Sequence, residues 1–353
     1  MKGHKCVLFF LTLLVVSCND TIVIENTPEN TFNTFWSIMD ERYVYFEEKE
    51  INWDSIFTIY SNEAKQITSE ATLKIMLQEI LDTWNDDHVS IIINNNEKIV
   101  ISKKQRIKSP ITYYAPINKY DFENYEMKTD LFYTIQNRER RYGYINFGDL
   151  NEIIPIDIIK NALGNLRYDK GLIVDLRRCG GGYLSCTYRV SELFYKDEKI
   201  LFYKQPKTNK GRNDFGKLQP VSHKGIGIIP ETTPIILLTD SIQYSAGNLL
   251  AFILNELPNT ISVGTTTTGG GSIVQYVRLP NGWLLSYPSI KLFSTSGQNM
   301  EYGLKPDVFN NFVPSTFDLS KRDEHIAIAL ELLDSINGYE KVDYLEMYQE
   351  KKN

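Results

Sequence analysis

Ser245 stands where a buried strand is predicted to turn into a helix. The apolar run of residues 234–238 indicates a strand, and the run of residues 249–254 favours a helix. A hydroxyl at such a junction is exposed at a sheet edge. The backbone N–H of Ala246 points from the helix N-terminus and can donate to a developing oxyanion. Ser245 therefore has the placement of a nucleophile, although a serine here is also an ordinary helix N-cap.

A nucleophilic serine needs a base, and the chain has only four histidines. His4 lies in an N-terminal apolar leader, His223 in a polar loop, and His325 near the start of a C-terminal helix. His88 remains, at the junction between a predicted helix and a β-branched run. By elimination it is the candidate base, and the alternative interpretation is a surface histidine without a catalytic role.

A second candidate loop follows the predicted strand of residues 171–176. Three consecutive glycines, residues 180–182, permit a turn that a side chain would block and let a substrate approach main-chain N–H groups. A phosphate loop is disfavoured because no Lys-Ser or Lys-Thr pair follows. A tight turn without function is the other interpretation.

The predicted elements give these residues a frame. Three short amphipathic helices are expected from Thr27, over residues 53–60 and from about Ser69 to residue 84. Strands and helices then alternate from residue 142 to residue 264, which predicts an α/β core with largely parallel strands. A hairpin turns at residues 280–282, and a final helix covers residues 323–336. Residues 92–140 are expected to be irregular, and residues 203–227 a surface excursion.

The N-terminus has the pattern of an export signal. Lys2 and Lys5 precede the apolar run of residues 7–16, which is too short to span a bilayer and ends near Cys18. The placement of Cys18 resembles a bacterial lipoprotein signal, in which the cysteine becomes a lipidated N-terminus. An ordinary secretory signal is the alternative. We expect an exported protein, anchored through lipid in the periplasm or at the outer membrane or cell surface.

Charge and cysteine content narrow the function classes. The net charge of −6 becomes −8 once Lys2 and Lys5 leave with the signal, which argues against a nucleic-acid partner. After the signal and Cys18, only Cys179 and Cys186 remain. Two cysteines are too few for a disulfide scaffold or a zinc site, although they could bridge each other. No metal or organic cofactor is expected.

These stretches together resemble peptidase family S41, the family of the C-terminal processing peptidases and the tricorn core. The resemblance runs from about residue 32 to residue 333. It is carried by the segment 86–89, the glycine loop 177–182, the segment 244–246, the loop at Gly269, and Glu301 with residues 303–307. It implies a small helical N-terminal domain on a crotonase/ClpP-like α/β core and a polypeptide substrate. It also implies catalytic roles for Ser245, His88 and Glu301 and an oxyanion site formed by the N–H groups of Ala246 and of Gly180 or Gly181.

The chain departs from the family pattern in several places. Processing peptidases carry a base lysine in a Gly-Lys-Gly loop, whereas residues 268–272 contain none, so a Ser/Lys mechanism is not expected. The tricorn-like branch uses histidine and glutamate, but Asp87 stands where that branch has a serine. Cys179 replaces a frequent asparagine. The segment 101–141 is too short for a PDZ domain of about 90 residues.

The predicted domain organisation follows from these observations. We expect a signal at residues 1–17, a tether at 18–26, a helical domain carrying His88 at 27–100, a linker at 101–141, the peptidase core at 142–337 and a charged tail at 338–353. The predicted function is a serine endopeptidase acting on exported polypeptides. The alternative is a non-catalytic exported lipoprotein that binds peptides, glycans or apolar ligands on the same fold.

Overall fold

The structure is a computed structural model that describes residues 25–93, 97–100, 123–129, 132–137, 140–164, 168–312 and 323–339. The signal, the lipidation site Cys18, most of the tether and the tail beyond residue 339 lie outside the described residues. No helix within the described ranges is long and apolar enough to cross a membrane.

The described residues form seven α-helices and thirteen strands in the following order. The helices are α1 (Pro28–Arg42), α2 (Trp53–Ala64), α3 (Glu70–Asp82), α4 (Ile156–Gly164), α5 (Leu184–Ser191), α6 (Ala246–Asn255) and α7 (Glu324–Ile336). The strands are β1 (Ser90–Ile93), β2 (Glu97–Val100), β3 (Glu123–Thr129), β4 (Phe132–Asn137), β5 (Tyr142–Phe147), β6 (Gly171–Asp175), β7 (Glu198–Pro206), β8 (Gln219–Lys224), β9 (Ile235–Thr239), β10 (Thr260–Gly264), β11 (Ser272–Arg278), β12 (Leu284–Phe293) and β13 (Val308–Phe309).

The three predicted N-terminal helices are present, and each begins at a side-chain cap. Thr27, Asn52 and Ser69 each accept the backbone N–H three residues further on, which satisfies a donor that the first turn leaves unpaired. The apolar faces of the helices share one core with Leu285 and Tyr287 of β12. The helices are therefore packed against the β11–β12 hairpin.

A seven-stranded sheet forms the centre of the α/β part. Its order is β13-β10-β9-β6-β5-β4-β3, and the five strands from β13 to β5 are parallel. Strands β5, β6, β9 and β10 are buried along their whole length, as continuous apolar runs predict for parallel strands. Helices α4, α5 and α6 cover one face, and α7 covers the other. The predicted α/β core is confirmed.

A second, antiparallel sheet links the N-terminal part to this core. Its order is β2-β1-β12-β7-β8, with β11 also paired to β12. Strand β1 begins two residues after His88 and pairs Ser90 with Ser286 of β12, while β11 pairs Ser272 with Lys291 of the same strand. Strand β12 thus pairs with both β1, which follows His88, and β11, which begins at Ser272.

Two segment predictions and one domain assignment are wrong. Residues 203–227 are not a simple surface excursion, because β7 and β8 form an antiparallel hairpin there. The segment 101–141, predicted as a linker, contains β3 and β4, which extend the seven-stranded sheet from β5. Residues 101–122 lie outside the described part of the chain. Strands β1 and β2, assigned from sequence to the helical domain, belong to the second sheet.

Candidate active site

Ser245 occupies a strained turn between β9 and α6. Its backbone has φ 53° and ψ −122°, a conformation that residues with a side chain rarely adopt. The Ser245 N–H donates to Gly269 O (2.9 Å), and the Tyr244 N–H donates to Cys179 O (3.1 Å). The Ser245 hydroxyl makes no capping bond to α6, so the interpretation of this serine as a helix cap is wrong. A strained serine between a strand and a helix is the arrangement of a nucleophile elbow.

His88 lies in the turn between α3 and β1, and its ring reaches Ser245. The distance from His88 Nε2 to Ser245 Oγ is 2.9 Å. The His88 N–H donates to Asp86 Oδ1 (2.9 Å), and the ring packs against Tyr244 with centroids 4.7 Å apart. Because α3 and α6 belong to different cores, this contact exists only where the N-terminal helices dock on the α/β part. The structure thus brings the two predicted catalytic side chains together.

Ser272, which sequence reasoning missed, lies on the other side of the histidine ring. Its Oγ is 3.2 Å from His88 Nδ1. Ser272 is the first residue of β11 and directly follows the glycines of residues 269–271. Its position in the loop where relatives carry a lysine was the only sequence signal that could have drawn attention to it.

Glu301 is buried behind this loop, in a short turn at residues 300–302. Its carboxylate pairs with the ammonium group of Lys49, with Oε1 and Nζ 2.6 Å apart, and the Glu301 side chain is 3% exposed. Burial and the negative charge of Asp86 raise the pKa of the Glu301 carboxyl to about 7, although Lys49 opposes the rise. The partner of Glu301 is thus a lysine from the segment between α1 and α2, which sequence reasoning also missed. Its predicted role in orienting His88 stays a prediction.

Two of the three predicted oxyanion donors, the N–H groups of Ala246 and Gly181, belong to residues next to Ser245. The Ala246 N–H belongs to the first turn of α6, where backbone donors have no partner within the helix. Gly181 has φ +126°, and a Cβ at this position would lie 2.9 Å from Ser245 Cβ. The Gly180 N–H instead donates to Asp149 Oδ1 (2.7 Å), which conflicts with its predicted role. Of the two glycines, Gly181 is the better placed donor.

The two remaining cysteines are both buried and free, so the alternative in which they form a disulfide is wrong. Burial raises the pKa of the Cys179 thiol to about 12, which keeps it protonated and unreactive at neutral pH. Within the described ranges, no group of three or more His, Cys, Asp or Glu side chains is placed to hold a metal ion.

Comparisons with known proteins agree with this fold. Residues 141–309 match the model of peptidase family S41, and residues 24–82 match the tricorn protease C1 domain. The tricorn protease of Thermoplasma volcanium is 29% identical over 196 residues, or 55% of this chain and 17% of that protein. The carboxy-terminal processing protease CtpB of Bacillus subtilis is 26% identical over 170 residues, or 47% of this chain and 33% of that protein. The chain is similar to peptidase family S41 over residues 141–309, and its matches span less than half the length of these curated relatives.

Solved structures show the same architecture. A crystal structure of a candidate peptidase from Parabacteroides merdae superposes with a TM-score of 0.74 at 25% identity, covering 88% of this chain and 97% of that chain. The crystal structure of the tricorn protease gives a TM-score of 0.50 at 18% identity and covers 88% of this chain and 37% of that chain. The second likeness is one of fold alone.

Proposed function

We propose that the protein is a serine endopeptidase that hydrolyses peptide bonds of exported proteins or peptides. The observation that carries the proposal is the 2.9 Å distance between His88 Nε2 and Ser245 Oγ. A serine hydroxyl is a weak nucleophile until a neighbouring base takes its proton, and this distance is within the range for that transfer. The match of residues 141–309 to the model of peptidase family S41 supports the same chemistry.

In the proposed first step, Ser245 Oγ attacks the carbonyl carbon of the scissile bond while His88 Nε2 takes the hydroxyl proton. The carbonyl electron pair moves onto oxygen and gives an oxyanion next to the N–H groups of Ala246 and Gly181. When the tetrahedral intermediate collapses, the C–N bond breaks and the imidazolium donates its proton to the leaving amine. Water then hydrolyses the acyl-enzyme by the same route. Loss of one oxyanion donor typically costs about 3 kcal/mol of barrier.

A fluorophosphonate probe tests this proposal directly. Peptide mapping by mass spectrometry should place one covalent adduct on Ser245 of the folded protein, and heat-unfolded protein should not react. The variant Ser245→Ala should lose the adduct. The variant Ser241→Ala is the matched control, because it removes an exposed serine from the same turn. It should label like the wild type.

The probe also separates the enzyme from the alternative function. Folded protein that takes up no label would contradict the peptidase proposal. It would favour a non-catalytic lipoprotein that binds peptides, glycans or apolar ligands on this fold. An adduct mapped to a serine other than Ser245 would contradict the assigned nucleophile.

We further propose that the protein is exported and anchored through lipid at Cys18. The support is the short apolar run between Lys5 and Cys18. Mass spectrometry of protein extracted from membranes should find an N-terminal acylated Cys18. A peptide that spans residues 17 and 18 without modification would contradict this proposal.

A further inference from the structure

The loop of residues 269–272 touches both members of the proposed Ser–His pair. Gly269 O accepts the Ser245 N–H (2.9 Å), and Ser272 Oγ lies 3.2 Å from His88 Nδ1. The same four residues therefore hold the backbone of the nucleophile and face the distal nitrogen of the base. The reaction as proposed above uses Nε2 of the histidine and leaves the partner of Nδ1 without a role.

We infer that Ser272 is the positioning residue of His88, an inference that rests on the proposed peptidase function. To accept the Ser245 proton, Nε2 must be unprotonated, so a neutral imidazole carries its proton on Nδ1. Nδ1–H then donates to Ser272 Oγ. This hydrogen bond fixes both the tautomer and the direction of the ring, and it stabilises the imidazolium that forms when Ser245 is deprotonated.

The carbonyl of Gly271, in the peptide group that precedes Ser272, is held by a clamp of two hydrogen bonds, which fixes the place of the hydroxyl. Gly271 O accepts the Tyr45 hydroxyl (2.5 Å) and the Leu292 N–H (3.0 Å). A Cβ at position 271 would lie 2.4 Å from Met300 Cβ, so only glycine allows this close approach.

The clamp assigns an indirect role to Tyr45, a residue of the N-terminal part of the chain. Tyr45 is fully buried and reaches the loop from the connection between α1 and α2. Lys49, from the same connection, pairs with the carboxylate of Glu301, whose backbone lies next to Gly271. Tyr45 therefore acts on His88 through the carbonyl of Gly271 and the hydroxyl of Ser272.

The variant Ser272→Ala tests the positioning role by steady-state kinetics on a casein substrate. We expect kcat to fall by about tenfold to a hundredfold, with KM within about twofold of the wild type. This loss is smaller than the full contribution of a general base to the rate, because His88 itself remains. Without the acceptor, Nδ1–H loses a bond that favours the imidazolium, so the acid limb of the pH profile of kcat/KM should move to lower pH. Ser272→Thr keeps the hydroxyl and should recover most of the activity.

A double-mutant cycle with Tyr45→Phe tests whether the clamp acts through Ser272. Tyr45→Phe should lower kcat several-fold in the wild-type background and have no further effect in Ser272→Ala, since residues that act through one contact are not additive. An unchanged kcat and acid limb in folded Ser272→Ala would overturn the inference, as would additive effects in the cycle. If Ser272→Ala does not fold, Tyr45→Phe decides alone, and an unchanged kcat then overturns the inference.

These outcomes are separate from failure of the proposed function. Wild-type protein that neither cleaves casein nor reacts with the fluorophosphonate would contradict the peptidase proposal itself. Active wild-type protein with an equally active Ser272→Ala variant would contradict only the role of Ser272.

Discussion

Alanine at His88 is expected to lower kcat/KM for a casein substrate by about a thousandfold, since general-base catalysis contributes about 10² to 10⁴ in rate. Ser245→Ala should abolish detectable cleavage while leaving the fold intact. The Ser245→Ala/His88→Ala double variant should be no worse than Ser245→Ala, because residues that act as a unit are strongly non-additive. Imidazole ordinarily titrates near pH 6.5, so wild-type kcat/KM should fall as pH drops through that region.

Lys291 is the matched control for the identity of the base. It lies opposite Ser272 in the β11–β12 pair and is 7% exposed. Its Nζ pairs with the carboxylate of Glu48 and lies 4.3 Å from the ring centroid of Phe215. The ammonium group is thus engaged by Glu48 and Phe215 and not by Ser245. Lys291→Ala should therefore keep most of the wild-type activity per amount of folded protein. Thermal unfolding measures how much of the variant is folded. A loss of several orders of magnitude in Lys291→Ala, with activity kept in His88→Ala, would replace the Ser/His pair with a Ser/Lys dyad.

The sequence predicted Ser245 and His88 because each stands at a junction that local patterns define. A buried apolar run followed by a helical run locates Ser245, and the end of an amphipathic helix locates His88. Ser272 has no such pattern, since one serine after three glycines is typical of many loops. Its approach to His88 depends on the pairing of β1 and β11 with β12, and register over nearly 200 residues of chain is not visible in local spacing.

The ion pair of Lys49 and Glu301 was missed for a related reason. Lys49 follows two glutamates in a charged stretch that is typical of an exposed surface, yet its side chain is only 15% exposed and pairs with the buried Glu301 carboxylate. Strand β8 was not predicted from the sequence for a different reason. In β8, exposed and half-exposed residues alternate without a buried face, and such an edge strand lacks the apolar alternation that indicates a strand.

A buried ion network ties α7 to the end of β6, just before the glycine loop. The side chains of Arg177, Asp175 and Asp323 are 0% exposed. Arg177 Nη2 donates to Asp175 Oδ2 (2.6 Å) and Nη1 to Asp323 Oδ2 (2.8 Å), and the Tyr144 hydroxyl also donates to Asp175 Oδ2 (2.6 Å). Removing one partner from such a cluster leaves a charge that has lost both water and its counter-ion.

Asp175→Ala is therefore expected to lower the free energy of unfolding by about 3–5 kcal/mol, as measured by urea denaturation. The control is Asp169→Ala, which breaks the ion pair with Arg141 at the surface, where the side chains are 48% and 51% exposed. Water and salt screen that pair, so its loss should cost less than about 1 kcal/mol. Equal losses in the two variants would mean that burial of the Arg177 network does not determine its contribution to the free energy of unfolding.

Because Arg177 leads directly into the loop that holds Gly181, Asp175→Ala protein that still folds at low temperature should also react more slowly with the fluorophosphonate. Asp169→Ala should react like the wild type.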